Sequence, residues 1–258
     1  MEKAFYMINY KAVACFFDIQ INEVSICSMN MDKQLTTTIP INYLILESGL
    51  QKVSVKLLPI LGESLLNEET DFSMKIQLFE VEPSFRHKED ILEYQISLEN
   101  EEIKSLPVLI YETSFNADVP FRLTAWQNSL DLRDISNLNE LVDKIYKKIT
   151  STINEKQYDK FIEMLYEREE NMSKSLYLSS KEKEDRMQEL IADFENGFKL
   201  IPLSEDDSIQ FYNKGKVIRL IKRDGESAIR FFSEETGEEM TLEILFHLKD
   251  GATELSII

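Results

Sequence analysis

Few side chains in this chain could carry chemistry. There are two histidines, His87 and His247, and two cysteines, Cys15 and Cys27. A zinc site gathers several His, Cys or carboxylate ligands at short, recurring spacings; these four residues offer none. The acidic runs Glu205-Asp206-Asp207, Glu234-Glu235 and Glu238-Glu239 could attract a divalent cation. None has the D-x-[DN]-x-[DN]-G spacing that wraps carboxylates around calcium, so solvated loop charge accounts for them better. There is no G-x-S-x-G nucleophile turn and no G-x-x-x-x-G-K-[ST] phosphate loop. No catalytic residue, cofactor site or metal site is assigned, and the chain reads as a binding protein more than as an enzyme.

One grouping could line a pocket. Tyr212, Arg219, Arg230 and His247 fall on C-terminal segments that read as strands. On the concave face of a curved sheet they would converge on an anionic group. Phe211, Phe231, Phe232 and Phe246 would add apolar lining, although core packing explains the same aromatics. His247 is a candidate pocket base; a hydrogen-bonded strand histidine is the plainer reading. His87, within Phe85-Arg86-His87-Lys88, reads as a solvated loop residue. Tyr166-Glu167-Arg168-Glu169-Glu170 reads as the solvent face of a helix, laced by i,i+3 and i,i+4 pairs.

Charge limits the choice of partner. The 258-residue chain has a formal net charge of −18, shared evenly between its halves, with 43% hydrophobic and 29% charged residues. That balance suits a globular fold. It leaves no basic stripe for nucleic acid or for an anionic membrane surface. A basic protein or cationic ligand would be steered toward it. No apolar run approaches the roughly 20 residues of a membrane span. The opening residues lack a basic stretch followed by an apolar one, so a cytoplasmic location is expected. Cys15 and Cys27 could face each other across a hairpin turning at Asn22-Glu23; reduced packing residues are the simpler expectation.

The elements change character near residue 130. Before it, Phe17, Ile19 and Ile21 alternate with polar neighbours, as do Val53–Leu57, Phe72–Leu78 and Leu92–Leu98. Val108–Tyr111 and Phe121–Trp126 add two more candidate strands, and Met31–Thr38 reads as a polar connection. Period-two alternation with turn residues between the runs predicts an antiparallel β-sandwich over 1–130. After it, three helices are predicted. The first opens at Ser136 or Asn137 and the second is capped by Asn154. The third starts at the capping box Ser179-x-x-Glu182 and stops at Gly197. Strands then return with turns at Asn213-Lys214-Gly215, Asp224-Gly225 and Thr236-Gly237. The fold class is therefore α+β, with helices packed on a curved antiparallel sheet over 131–258.

The helix-then-sheet order resembles the cone of nuclear transport factor two-like (SnoaL-like) proteins. The resemblance includes the runs Gln210-Phe211-Tyr212-Asn213-Lys214-Gly215-Lys216 and Phe246-His247-Leu248-Lys249-Asp250-Gly251. That family contains enzymes, carriers and immunity proteins, and none of the pocket carboxylates of its isomerases has a match here. The N-terminal half resembles small bacterial β-sandwich modules through Ile21-Asn22, Pro40-Ile41-Asn42 and Ser48-Gly49. The combination is similar to immunity proteins of bacterial toxin secretion systems, which occlude a cognate toxin. The resemblance implies a non-enzymatic immunity or adaptor protein that neutralises a basic partner, with homodimerisation through an exposed sheet a further implication. The alternative is a small hydrophobic ligand-binding protein, or an isomerase-like enzyme, using a pocket in the C-terminal cone.

Overall fold

The alternation of the first strand changes phase partway along. In β1 (Ala4–Ile21) the buried apolar side chains are Tyr6, Ile8, Tyr10 and Ala12, then, past the buried Ala14, Cys15, Phe17, Ile19 and Ile21; Asp18 is also buried. Even positions point inward before residue 14 and odd positions after it. Ala14 adopts φ 47° at a register shift between Val13 and Cys15. One extra residue at such a bulge resets which face of the strand is buried. The partner changes at the same place. Ala4–Val13 pairs with β4 (Asp71–Glu80), whereas Phe16–Ile21 pairs with β3 (Gly49–Leu58). Along its other edge β1 pairs with β2 (Val24–Pro40), and both turn residues, Asn22 and Glu23, have positive φ, as a type I′ hairpin requires.

The structure is a computed structural model that describes residues 3–96 and 106–258. Its contacts divide the chain into two compact units, 1–123 with 224–226 and 124–223 with 227–258. The boundary at 123/124 falls a few residues before the expected one.

In the first unit, β5 (Arg86–Gln95) and β6 (Leu109–Ala117) complete one six-stranded antiparallel sheet in the path β5-β4-β1-β3-β6, with β2 on β1. The expected sandwich strands thus share a single hydrogen-bonded sheet. It curls: Tyr94 of β5 and Tyr111 of β6 come from opposite ends of that path, yet they stack with ring centroids 3.6 Å apart. Tyr10, Phe17 and Phe72 fill the interior, with Phe17 centred 5.4 Å from Tyr10 and 6.2 Å from Phe72. Met31–Thr38, read as a connection, is the outer half of β2. Leu98 lies outside the described residues, and Phe121–Trp126 is irregular. Cys27 pairs with Ile19 and Cys15 with Met31, so the two thiols do not face each other, and they form no disulfide.

The second unit begins with α1 (Leu138–Asn154), α2 (Tyr158–Ser175) and α3 (Ser180–Glu195). Asn154 closes α1, and Gln157 precedes α2, so the expected cap at Asn154 is displaced. The α3 capping box forms in full between Ser179 and Glu182, and Gly197, at φ 91°, follows its C-terminus. The strands are β7 (Phe198–Leu200), β8 (Ser208–Tyr212), β9 (Val217–Ile221), β10 (Arg230–Ser233), β11 (Glu239–Thr241), β12 (Phe246–His247) and β13 (Ser256–Ile257). They form two small antiparallel sheets, β11-β10-β7 and β13-β12-β9-β8, linked by a bridge between Ile221 and Ser227. α1 buries Leu138, Val142, Ile145 and Ile149 at helical spacing against a core that includes Phe161, Phe194, Phe231 and Phe246. No helix among the described residues is long and apolar enough to cross a membrane.

Candidate functional site

Helical period builds a groove in the second unit. Ile145, Lys148 and Thr152 share one face of α1; Lys160, Glu163, Met164 and Glu167 share one face of α2. Leu255, Ser256 and Ile257 close the bottom, and Lys249 stands at the rim. The groove, open to solvent along its rim, has a volume of about 690 Å3, inside the roughly 300–1,000 Å3 range of ligand sites. Ile145, Leu255 and Ile257 are buried side chains that form an apolar floor. The rim is charged. Lys249 pairs with Glu167. Lys148 shares Glu254 with Lys144, at 3.5 and 2.8 Å. Lys160 donates to Gln157 Oε1 at 2.8 Å and makes no ion pair among the described residues.

Directly behind Glu167 lies His247, with a fully buried ring. Its Nδ1 is 2.7 Å from Ser129 Oγ, and its Nε2 is 3.9 Å from Glu167 Oε2, too far for a hydrogen bond. The carboxylate facing Nε2 favours the tautomer protonated there, so Ser129 Oγ–H donates to Nδ1. Nε2–H is then buried without an acceptor. Burial lowers the His247 pKa; Glu167 pulls it up and Lys249 pushes it further down, and the ring is held neutral. Ser129 is placed by its own backbone: it bridges Lys249, while Leu130 N–H donates to Leu248 C=O. Hydroxyl, imidazole and carboxylate thus line up, but Ser129 is only 8% exposed. The array fixes a proton on His247, while Glu167 is held at the groove by Lys249; the Ser129 hydroxyl is covered.

A second polar cluster sits nearby. Glu169, buried within α2, accepts from Arg168 and from Arg186, the latter at 3.3 Å. Arg168 Nε also donates to the Glu243 carbonyl at 3.1 Å. The stretch expected to be a solvent face therefore carries a buried carboxylate.

The four residues expected to converge are divided between sheets. Tyr212, Arg219 and His247 belong to the four-stranded sheet, and Arg230 to the three-stranded one. The pairings Tyr212↔Val217, Gln210↔Arg219 and Phe246↔Ile218 put Tyr212, Arg219 and His247 on one face. Their polar ends are committed separately: Arg219 pairs with Glu243 at 2.7 Å, Arg230 with Glu239 at 3.4 Å, and His247 with Ser129. None lines the groove. Phe231 and Phe246 are core residues, and Phe211 and Phe232 point substantially to solvent. His87 lies on β5, half-exposed, 2.7 Å from Asp90.

Sequence reasoning did not find the groove residues Lys148, Lys160, Glu167 and Lys249, nor Ser129. The i, i+3, i+7 spacing of charged residues on neighbouring helices was the available signal. Among the described residues no cluster of three or more His, Cys, Asp or Glu is placed to hold a metal ion. Neither a protein-family model, nor a curated protein, nor a solved structure matches this chain.

Proposed function

We propose that this protein works by binding, and that the groove between α1 and α2 is a site for a small, largely apolar molecule. The observation that carries this reading is the groove itself: a buried aliphatic floor beneath a ring of polar side chains, at the size of a ligand site. Calorimetric titration of medium-chain aliphatic compounds is the test. Binding at one site per chain is expected, and Met164→Trp, which fills the groove from α2, should abolish it while the circular dichroism spectrum is unchanged. Absence of binding across the series, or binding unaffected by Met164→Trp, refutes the assignment.

A second reading concerns a protein partner. The net charge of −18 favours a basic protein, as an immunity or adaptor protein would require. On the first unit Phe85 is 55% exposed and stacks on Phe79 with centroids 4.8 Å apart, the kind of aromatic anchor on which interfaces depend. A native pull-down at low and moderate salt, compared with a Phe85→Ala variant, tests it: one stoichiometric basic partner, weakened by the substitution, supports the reading, and an empty column refutes it.

A further inference from the structure

The charges at the groove rim select among apolar ligands, and this inference rests on the groove reading above. We infer that the ligand is an amphiphilic anion: an aliphatic body on the Ile145–Leu255–Ile257 floor and a carboxylate-like head taken by Lys249 and Lys160.

The argument begins with the unmatched charge. Three lysines and two glutamates line the groove, in a chain whose formal charge is −18. Glu167 is already occupied by Lys249. Glu254, just outside the lining, is shared by Lys144 and Lys148, so one ammonium of that pair lacks a carboxylate of its own. Lys160 has only the neutral Gln157 amide. Glu163 is the opposing charge on the same wall, and it leaves the rim one positive charge in excess. That local excess of one ammonium over an apolar floor makes an anionic head the complementary group, against the chain's overall negative field.

The second observation is the buried Nε2–H of His247, which lacks an acceptor and faces Glu167 Oε2 at 3.9 Å. Glu167 is held off the imidazole while it pairs with Lys249. An anionic head that draws Lys249 to itself frees Glu167 to close the remaining distance and accept from His247 Nε2. The exchange gives Lys249 an anionic partner in the ligand, trades the Glu167 ion pair for a hydrogen bond from the neutral imidazole, and satisfies one more buried donor. No proton moves and no bond is made or broken.

The test is calorimetric titration of the full chain with decanoate, decanol and decyltrimethylammonium, all below micelle formation. Decanoate should bind roughly tenfold tighter than decanol, the worth of one partly desolvated charge contact. Lys160→Met and Lys249→Met should each weaken decanoate far more than decanol, bringing the two together; Lys249→Arg should restore the preference. Lys160 is exposed, so its variant does not depend on the His247 array for folding. Equal binding of decanoate and decanol overturns the inference and leaves the groove reading standing, as does a preference for the cation. Failure of all three compounds overturns both.

Discussion

Replacing Ser129 by Ala isolates the energetics of the buried imidazole. The Ser129 hydroxyl supplies the hydrogen bond of the His247 ring, and Nε2 already lacks one. Ser129→Ala leaves both ring nitrogens unpaired in a fully buried site. An unsatisfied buried polar atom costs about 1–3 kcal/mol, so a loss of about 2 kcal/mol is expected. With a urea m-value of about 2 kcal/mol/M, the unfolding midpoint falls by about 1 M. Trp126 is the single tryptophan, it is buried, and its carbonyl accepts from Ser129 N–H at 3.1 Å, so its fluorescence reports on this unit. His247→Leu in the Ser129→Ala background removes both partners at once. The double variant should recover most of the loss, giving a coupling energy of about 1.5 kcal/mol. The pH dependence follows the same ring. Because burial lowers the folded pKa below the ordinary 6.5, stability from the neutral ring is complete above pH 6.5 and is lost as pH falls through the lower folded value. That slope should disappear in His247→Leu. A Ser129→Ala cost below about 0.5 kcal/mol, or a double variant that suffers the sum of both losses, refutes the reasoning.

Three further outcomes are expected. Glu169→Ala should cost about 3 kcal/mol, the low end for breaking a buried pair, since Arg186 is 38% exposed and can rehydrate; chemical denaturation read at Trp126 measures it. Glu23→Gly should stabilise the first unit by about 1 kcal/mol in far-ultraviolet melts, because Glu23 sits at φ 64° and its exposed pair with Lys52 contributes little. Ser179→Ala removes the hydroxyl that accepts from Glu182 N–H and leaves Ser179 N–H donating to Glu182 Oε2, and amide exchange at Glu182 and Lys183 should accelerate about fivefold.

How much of this was legible depended on whether the governing contacts were local. The β4 alternation and the α3 capping box are short-range patterns, and both appear as expected. β1 was read only from Phe17 onward because the bulge at Ala14 resets its phase, and a fixed-period template loses the strand there. Met31–Thr38 gave no strand signal because that half of β2 is largely exposed on both faces. Glu169 carries the same charge as its exposed neighbours, and nothing local says that Arg168 and Arg186 enclose it. The groove draws on α1, α2 and the segment Lys249–Ile257, parts that only the tertiary fold assembles. The expected set Tyr212, Arg219, Arg230 and His247 required a register for strands whose pairing separates Arg230 from the other three.

The branching of β1 has a kinetic consequence. Its pairing with β2 needs only a two-residue turn, whereas β4 and β3 must each close a longer loop onto the opposite edge. Loop-closure entropy therefore orders assembly: the β1–β2 hairpin forms first and serves as the template on which β3 and β4 dock at either side of the bulge. Interactions made in such a nucleus act on the rate of folding more than on the rate of unfolding. A change at the Asn22-Glu23 turn should accordingly show in the refolding arm of a chevron, while a change in the late-docking β5 should show in the unfolding arm.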